Sequence, residues 1–247
     1  MPEGRKINLR YIFSSGIQAS TKSYKSLSFE SELEKKFINC LIFDHSIQSI
    51  QTQPFTILSH NTRNNRYTPD ILVERLITID NLEYIQKTVF EIKPQKILQE
   101  EWKRFSLRFK MATKWCKERG YLFKLVTEKY IETPYLKNIN FLLQYDRSRF
   151  PTSDLGTATE IESQVNNILI HQHLSINELL QSLSQDKKTQ QQLLPYIWML
   201  VRDGRLNVDL TTQLTMNTII WNGEPPFDYN FEQSPIRRRF RSRIITP

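Results

Sequence analysis

The sequence predicts an α/β domain, a mixed sheet flanked by helices, followed by a smaller α+β domain. Three observations carry that reading. An amphipathic helical stretch, Gln99 to Arg119, lies between apolar strand-like runs at Ile85–Lys93 and Tyr121–Glu128. Strand–helix–strand in one sheet implies a parallel pair joined by a right-handed crossover. Then Arg147 to Gly156 is polar and punctuated by proline and glycine, as a linker is. Beyond it, three helical patterns precede a stretch that alternates like a hairpin.

Composition bounds the function. The chain has 247 residues, enough for one large domain or two small ones, and 39% of them are apolar, enough for a core. The formal net charge of +8 favours an acidic partner such as nucleic acid. That charge is uneven: Phe231 to Pro247 carry five arginines and one glutamate. Cys40 and Cys116 sit in apolar helical patterns without CxxC spacing, as reduced core thiols of a cytosolic protein do. Neither end holds an apolar run of the kind a signal peptide or membrane span needs. The six glycines are isolated, which excludes a Gly-rich phosphate loop.

The elements follow in order. Residues 1–27 read as a loosely ordered basic arm. Ser28 to Phe43 is expected to be a helix with Ser28 as N-cap, because Phe29, Leu33, Phe37 and Cys40 form one apolar face. Glu30 and Glu34 lie four apart, on one side of such a helix. Ser31 and Glu34 also have capping-box spacing. An irregular strand spans Ile47 to Ile57 and includes Gln53-Pro54. Asn61 to Arg66 is a turn. Two central strands, Tyr67–Val73 and Ile85–Lys93, are joined by a loop near Asp80-Asn81. In the long helix Trp102, Phe105, Phe109, Ala112 and Cys116 recur at helical spacing, and Gly120 stops it. Its opposite face is basic, either solvated or turned to DNA. A short helix around Leu136–Tyr145 closes the first domain.

In the second domain Thr157 with Glu160, and Ser175 with Glu178, are capping-box signatures for two helices. Gln190 to Asp203 is a third, ended by Gly204. Arg205–Leu210 and Gln213–Trp221 alternate around Thr211-Thr212 as a hairpin does. Three helices and a hairpin make a winged-helix outline, which serves DNA binding, protein binding or architecture. His171 and His173, two apart, do not share a helix face and read as helix-end residues.

The chemistry concentrates where the central strands meet. Pro69-Asp70 opens one strand, and Glu91-Ile92-Lys93 ends the other. Side chains alternate along a strand, so Glu91 and Lys93 share a face and Phe90 and Ile92 take the other. Asp70 and Glu91 form a carboxylate pair able to hold a hard cation such as Mg²⁺. Lys93 is placed to hold or activate a water, or to steady charge developing on a phosphate. The same residues also fit a surface hairpin with a cross-strand salt pair.

This pattern resembles the PD-(D/E)xK nuclease superfamily. Five motifs in order, Leu33-Glu34, Gln53-Pro54, Pro69-Asp70, Glu91-Ile92-Lys93 and Val126-Thr127-Glu128, resemble in particular the TnsA family, the endonuclease subunits of Tn-seven-like heteromeric transposases. The resemblance implies a PD-(D/E)xK core with a winged-helix-like second domain. It implies a catalytic set of Glu34, Asp70, Glu91 and Lys93, with Asp70, Glu91 and Glu34 as ligands to Mg²⁺ (Mn²⁺ substituting) and Gln53 in support. Glu30 competes with Glu34 as the first acid. The implied reaction is hydrolysis of the non-transferred, 5′-end strands of double-stranded DNA at transposon ends. The implied partners are an integrase-like transposase subunit and an AAA+ ATPase, in a bacterial cytoplasm. A restriction-type or junction-resolving nuclease of the same fold, or a catalytically silent DNA-binding adaptor, are the alternatives. The expected divisions are a basic arm at 1–27, the nuclease domain at 28–150, the second domain at 151–230 and a basic tail at 231–247. Arg237, Arg238, Arg239, Arg241 and Arg243 of that tail would bind DNA phosphates or a protein partner.

Overall fold

The computed structural model describes residues 15–58, 66–147, 155–170 and 172–223. The chain divides into two units between Ile131 and Glu132. The tail arginines Arg237 to Arg243 lie outside the described residues, as do His171 and all but the last residue of the turn expected at Asn61 to Arg66. Among the described residues, no helix is long and apolar enough to cross a membrane.

The first unit opens with β1 (Gly16–Gln18), which pairs antiparallel with β2 (Leu27–Phe29). Residues 16 to 29 are therefore not a loose arm and not the start of a helix. Gly16 faces Phe29, and a Cβ there would come within 2.5 Å of the tip of the ring, so a side chain at 16 would displace it. The Lys22 ammonium donates to the carbonyls of Leu41 and Asp44, where the next helix leaves its last acceptors unpaired. That helix, α1 (Glu32–Phe43), starts three residues later than its apolar spacing suggests, with Ser31 as N-cap. Phe29 keeps the helical spacing yet is buried from a strand.

β3 (Ile47–Thr52) follows, then the short pair β4 (Ile57–Leu58) and β5 (Arg66–Tyr67), then β6 (Ile71–Ile79) and β7 (Leu82–Ile92). Asp80 and Asn81 join β6 to β7 with φ of 51° and 62°. Asn and Asp tolerate this left-handed backbone better than other side-chain-bearing residues, which makes the tight hairpin possible. After β7 come α2 (Gln95–Glu100), α3 (Trp102–Lys117), β8 (Leu122–Val126) and α4 (Glu128–Ile131). The expected single long helix is thus two. Glu101 separates them, and its carbonyl accepts from the amides of Arg104 and Phe105 at the start of α3. Gly120, at φ 70°, ends α3 as expected.

The main sheet has the order β3-β6-β7-β8. β6 pairs antiparallel with β3 and with β7, whereas β7 pairs parallel with β8. The sheet is therefore mixed, as the strand–helix–strand order predicts. One face meets α1, where Phe37 sits edge-on to Phe90 at 5.1 Å. The other meets α3, where Cys116 packs on Leu72 and Val89.

The second unit begins with α5 (Pro134–Leu142) and a 3-10 turn, Leu143–Tyr145. α6 (Leu155–Leu169), β9 (Leu174–Ser175), α7 (Ile176–Leu183), α8 (Lys187–Arg202), β10 (Asn207–Val208) and β11 (Ile219–Trp221) complete it. α5 was expected to close the first domain, but its contacts lie in the second. Phe141 packs edge-on to Trp198 of α8 at 5.0 Å, and Asp146 pairs with Arg202 at 2.6 Å. Ser175 and Glu178 form the expected capping box. Thr157 lies inside α6 rather than at its cap. No tight hairpin forms around Thr211-Thr212. Instead β11 pairs antiparallel with both β10 and β9, in the order β10-β11-β9.

Asn138, 5% exposed, holds the segment between β10 and β11. Its amide donates to the carbonyls of Leu210 (2.9 Å) and Thr212 (2.5 Å), and its oxygen accepts from the Leu214 amide (3.3 Å). Asn138→Ala leaves these backbone groups without their side-chain partner. The expected loss is about 2 kcal/mol of stability, read by urea denaturation of the full chain.

Candidate active site

The site forms where β6 begins and β7 ends. Thr52 pairs with Ile71, and beyond that pair the Gln53 amide donates to the Asp70 carbonyl at 2.8 Å. Asp70 therefore sits at the mouth of the sheet, one residue before β6. Ile71 pairs with Phe90, which brings Asp70 beside Glu91 and Ile92. The Lys93 amide donates to Val126 of β8 at 3.0 Å, so the ladder also holds the last residue of the motif.

The three charged side chains meet as the sequence predicts. Lys93 Nζ lies 3.2 Å from Asp70 Oδ2 and 3.0 Å from Glu91 Oε1. Asp70 Oδ2 also accepts from the Ile92 amide at 2.7 Å. Glu91 is 4% exposed, and its Oε2 accepts from the Tyr67 hydroxyl at 2.6 Å. The group is no surface salt pair. The sequence reading missed Tyr67 as a partner of Glu91. The available signal was a hydroxyl-bearing aromatic three residues before Asp70 in an otherwise apolar run.

The two candidates for the first acid are placed differently from expectation. Glu30 precedes α1, so Glu30 and Glu34 do not share a helix face. The Glu34 carboxylate accepts from the Glu30 amide at 2.8 Å and from the Ser31 hydroxyl at 2.9 Å, while its own amide donates to Ser31 Oγ at 3.2 Å. The reciprocal cap forms, with the Glu30 amide rather than the Ser31 amide as the group reached. Glu34 also lies within the fields of Asp70 and Lys93. The Glu30 carboxylate is held by Gln53 Nε2 at 2.5 Å, and it too acts on Asp70. Gln53 adopts φ 47°, a left-handed conformation uncommon for a residue with a side chain.

Electrostatics follow from burying two carboxylates with one ammonium. Burial raises Asp70 above the ordinary carboxylate range, although Lys93 and the Ile92 amide pull it down. Glu91 is pushed up to about 7, by burial and then by the charge of Asp70, against the pull of Lys93 and Tyr67. Burial alone would lower Lys93, but the two carboxylates outweigh it and hold the ammonium at about 12. Glu34 is raised by burial and, to a smaller degree, by Asp70. Fully ionised, Asp70, Glu91 and Lys93 carry an excess negative charge that a cation would offset.

The donor set fits a hard divalent ion. Both donors to Asp70 reach Oδ2, and among the described residues none reaches Oδ1. Among the described residues, no group of three His, Cys, Asp or Glu forms a ready cation cage. Mg²⁺ commonly binds one or two carboxylates and completes its octahedron with water and phosphate, which suits this pair.

The raised Glu91 has a consequence for metal-free protein. The folded state holds a proton that the unfolded chain gives up at the ordinary glutamate value of 4.5. Its contribution to stability is full below that value and is lost as pH rises through about 7. Urea midpoints of the metal-free protein are expected to fall between about pH 5 and about pH 8, and Glu91→Gln is expected to flatten that fall.

Two known families match the chain. The TnsA-like endonuclease N terminal family matches residues 44–128, a span that holds Gln53, Asp70, Glu91 and Lys93 and excludes Glu30 and Glu34. The TnsA endonuclease C terminal family matches residues 131–210. No curated protein matches the chain. The two matched spans follow one another and meet at the division between the two units, and the chain belongs to the TnsA family, the endonuclease subunits of heteromeric transposases.

Proposed function

We propose that the chain is a Mg²⁺-dependent DNA endonuclease that hydrolyses the non-transferred, 5′-end strands at transposon ends. The observation that supports this best is the buried group of Asp70, Glu91 and Lys93 at the mouth of a mixed sheet. Asp70 and Glu91 would hold the cation, with Mn²⁺ as a substitute, and Glu34 would complete or orient the site. Bound Mg²⁺ supplies Lewis acidity to the phosphate oxygens and to water.

The chain's own residues set the rest of the chemistry. Lys93, with its pKa near 12, enters as an ammonium. It donates to the attacking water or to a phosphate oxygen and steadies charge that develops there; it does not take the water's proton. Water attacks phosphorus and gives up a proton to solvent or to a phosphate oxygen, the opposite phosphorus–oxygen bond breaks, and the leaving oxygen takes up a proton from solvent. Gln53 supports the first acids through its bond to Glu30 and its amide on the Asp70 carbonyl.

The second unit is read as winged-helix-like. The order α6, β9, α7, α8, β10, β11 with a three-stranded antiparallel sheet supports this. Its role in this reading is to dock the other components, an integrase-like transposase subunit and an AAA+ ATPase. The arginines Arg237, Arg238, Arg239, Arg241 and Arg243 would add contacts to DNA or to those partners.

Strand-specific nicking of transposon-end DNA with Mg²⁺ or Mn²⁺, with and without partner subunits, tests the reading. Asp70→Ala and Lys93→Ala are each expected to cut cleavage by about a hundredfold or more. Cleavage that survives both substitutions would sink the site. Absence of cleavage in the assembled complex would favour an adaptor. Glu34→Gln is expected to lose cleavage and Glu30→Gln to keep most of it; the reverse pattern makes Glu30 the first acid.

A further inference from the structure

One buried polar group at the site has no part in the mechanism above. The Tyr67 side chain is 5% exposed, and its ring is packed against Ile57 and Ala112. Its hydroxyl is the donor to Glu91 Oε2 at 2.6 Å. Glu91 is thus gripped at both oxygens, by Tyr67 at Oε2 and by Lys93 at Oε1. The terminal torsion of a glutamate is broad. One flexible lysine does not fix the carboxylate plane, whereas a second donor on a packed ring does.

The ring itself is well anchored. Tyr67 pairs with Ile57 across the small β4–β5 sheet, and Phe55, two residues before Ile57, stacks on Trp115 of α3 at 4.2 Å. Tyr67 is also three residues from Asp70 on the same segment. That segment therefore sets both acids: its tyrosine grips Glu91, and its aspartate is gripped by the Ile92 amide.

We propose that Tyr67 is the positioning residue of this site: its hydroxyl fixes the plane of the Glu91 carboxylate, keeps Oε1 toward Lys93, and so holds the group in the orientation in which it would serve a cation. The proposal rests on the reading of Glu91 as a cation ligand. Partners that orient metal-binding side chains in this way are commonly worth about ten- to a hundredfold in metal affinity.

The test is Tyr67→Phe in the full chain, which keeps the ring and deletes only the hydroxyl. Three readouts apply: a crystal structure of the metal-free variant, Mn²⁺ titration followed by electron paramagnetic resonance, and nicking kinetics in the assembled complex. The expected results are a Glu91 carboxylate turned away from Lys93, Mn²⁺ affinity lower by about tenfold or more, and kcat reduced with KM for DNA unchanged. A Glu91 that superposes on the wild type with unchanged Mn²⁺ affinity overturns the proposal. Wild-type protein that binds no Mn²⁺ would remove the ligand reading instead. The metal-free structure then still decides whether Tyr67 positions Glu91.

Discussion

The first unit depends on one arrangement: a lysine ammonium held between two largely buried carboxylates where three strands run side by side. Removing such charges from water is expensive, and their mutual attraction repays the cost only with good geometry and further hydrogen bonds. Those bonds are present. The Ile92 amide holds Asp70, and the Tyr67 hydroxyl holds Glu91. The balance stays incomplete, which is why both acids are raised above their ordinary range. Burial is the larger cause in both, and for Glu91 the charge of Asp70 adds to it.

Register is what makes the arrangement possible. β6 pairs with β7 so that Ile71 faces Phe90, and alternation then sends Phe90 to α1 and Glu91 to the opposite face. A slip of one residue would exchange these roles, placing a carboxylate against Phe37 and an aromatic ring in the charged group. The hydrophobic core thus enforces the chemistry. Phe90 and Val89 seal the two faces of the strand, and the charged pair is left at its end.

At the start of α1, one residue has two duties. Glu34 satisfies the amide of Glu30 and the hydroxyl of Ser31, as a helix cap does, and it also lies in the fields of Asp70 and Lys93. Gln53 links the same region to the sheet, with its side chain on Glu30 and its amide on the Asp70 carbonyl.

Much of this is legible in the sequence. Alternation alone put Glu91 and Lys93 on one face, periodicity found α3, and Asp80-Asn81 marked the hairpin, because all three signals are local. Family motifs in order located the nuclease unit. What failed was also physical. Phe29 matches the spacing of a helix face, but its pairing with Gly16 makes it a strand residue, and the helix begins only where Ser31 can cap it. α5 looked like the end of the first domain, yet Phe141 finds its partner 57 residues later and Asn138 finds its own 72 and 74 residues later. The Tyr67–Glu91 bond spans 24 residues and two different sheets. The sequence by itself determined which residue types stand at each strand end, since spacing and alternation are properties of neighbours along the chain. Only the tertiary structure decided which of those groups grip one another, because that depends on strand register and on which distant surfaces bury together.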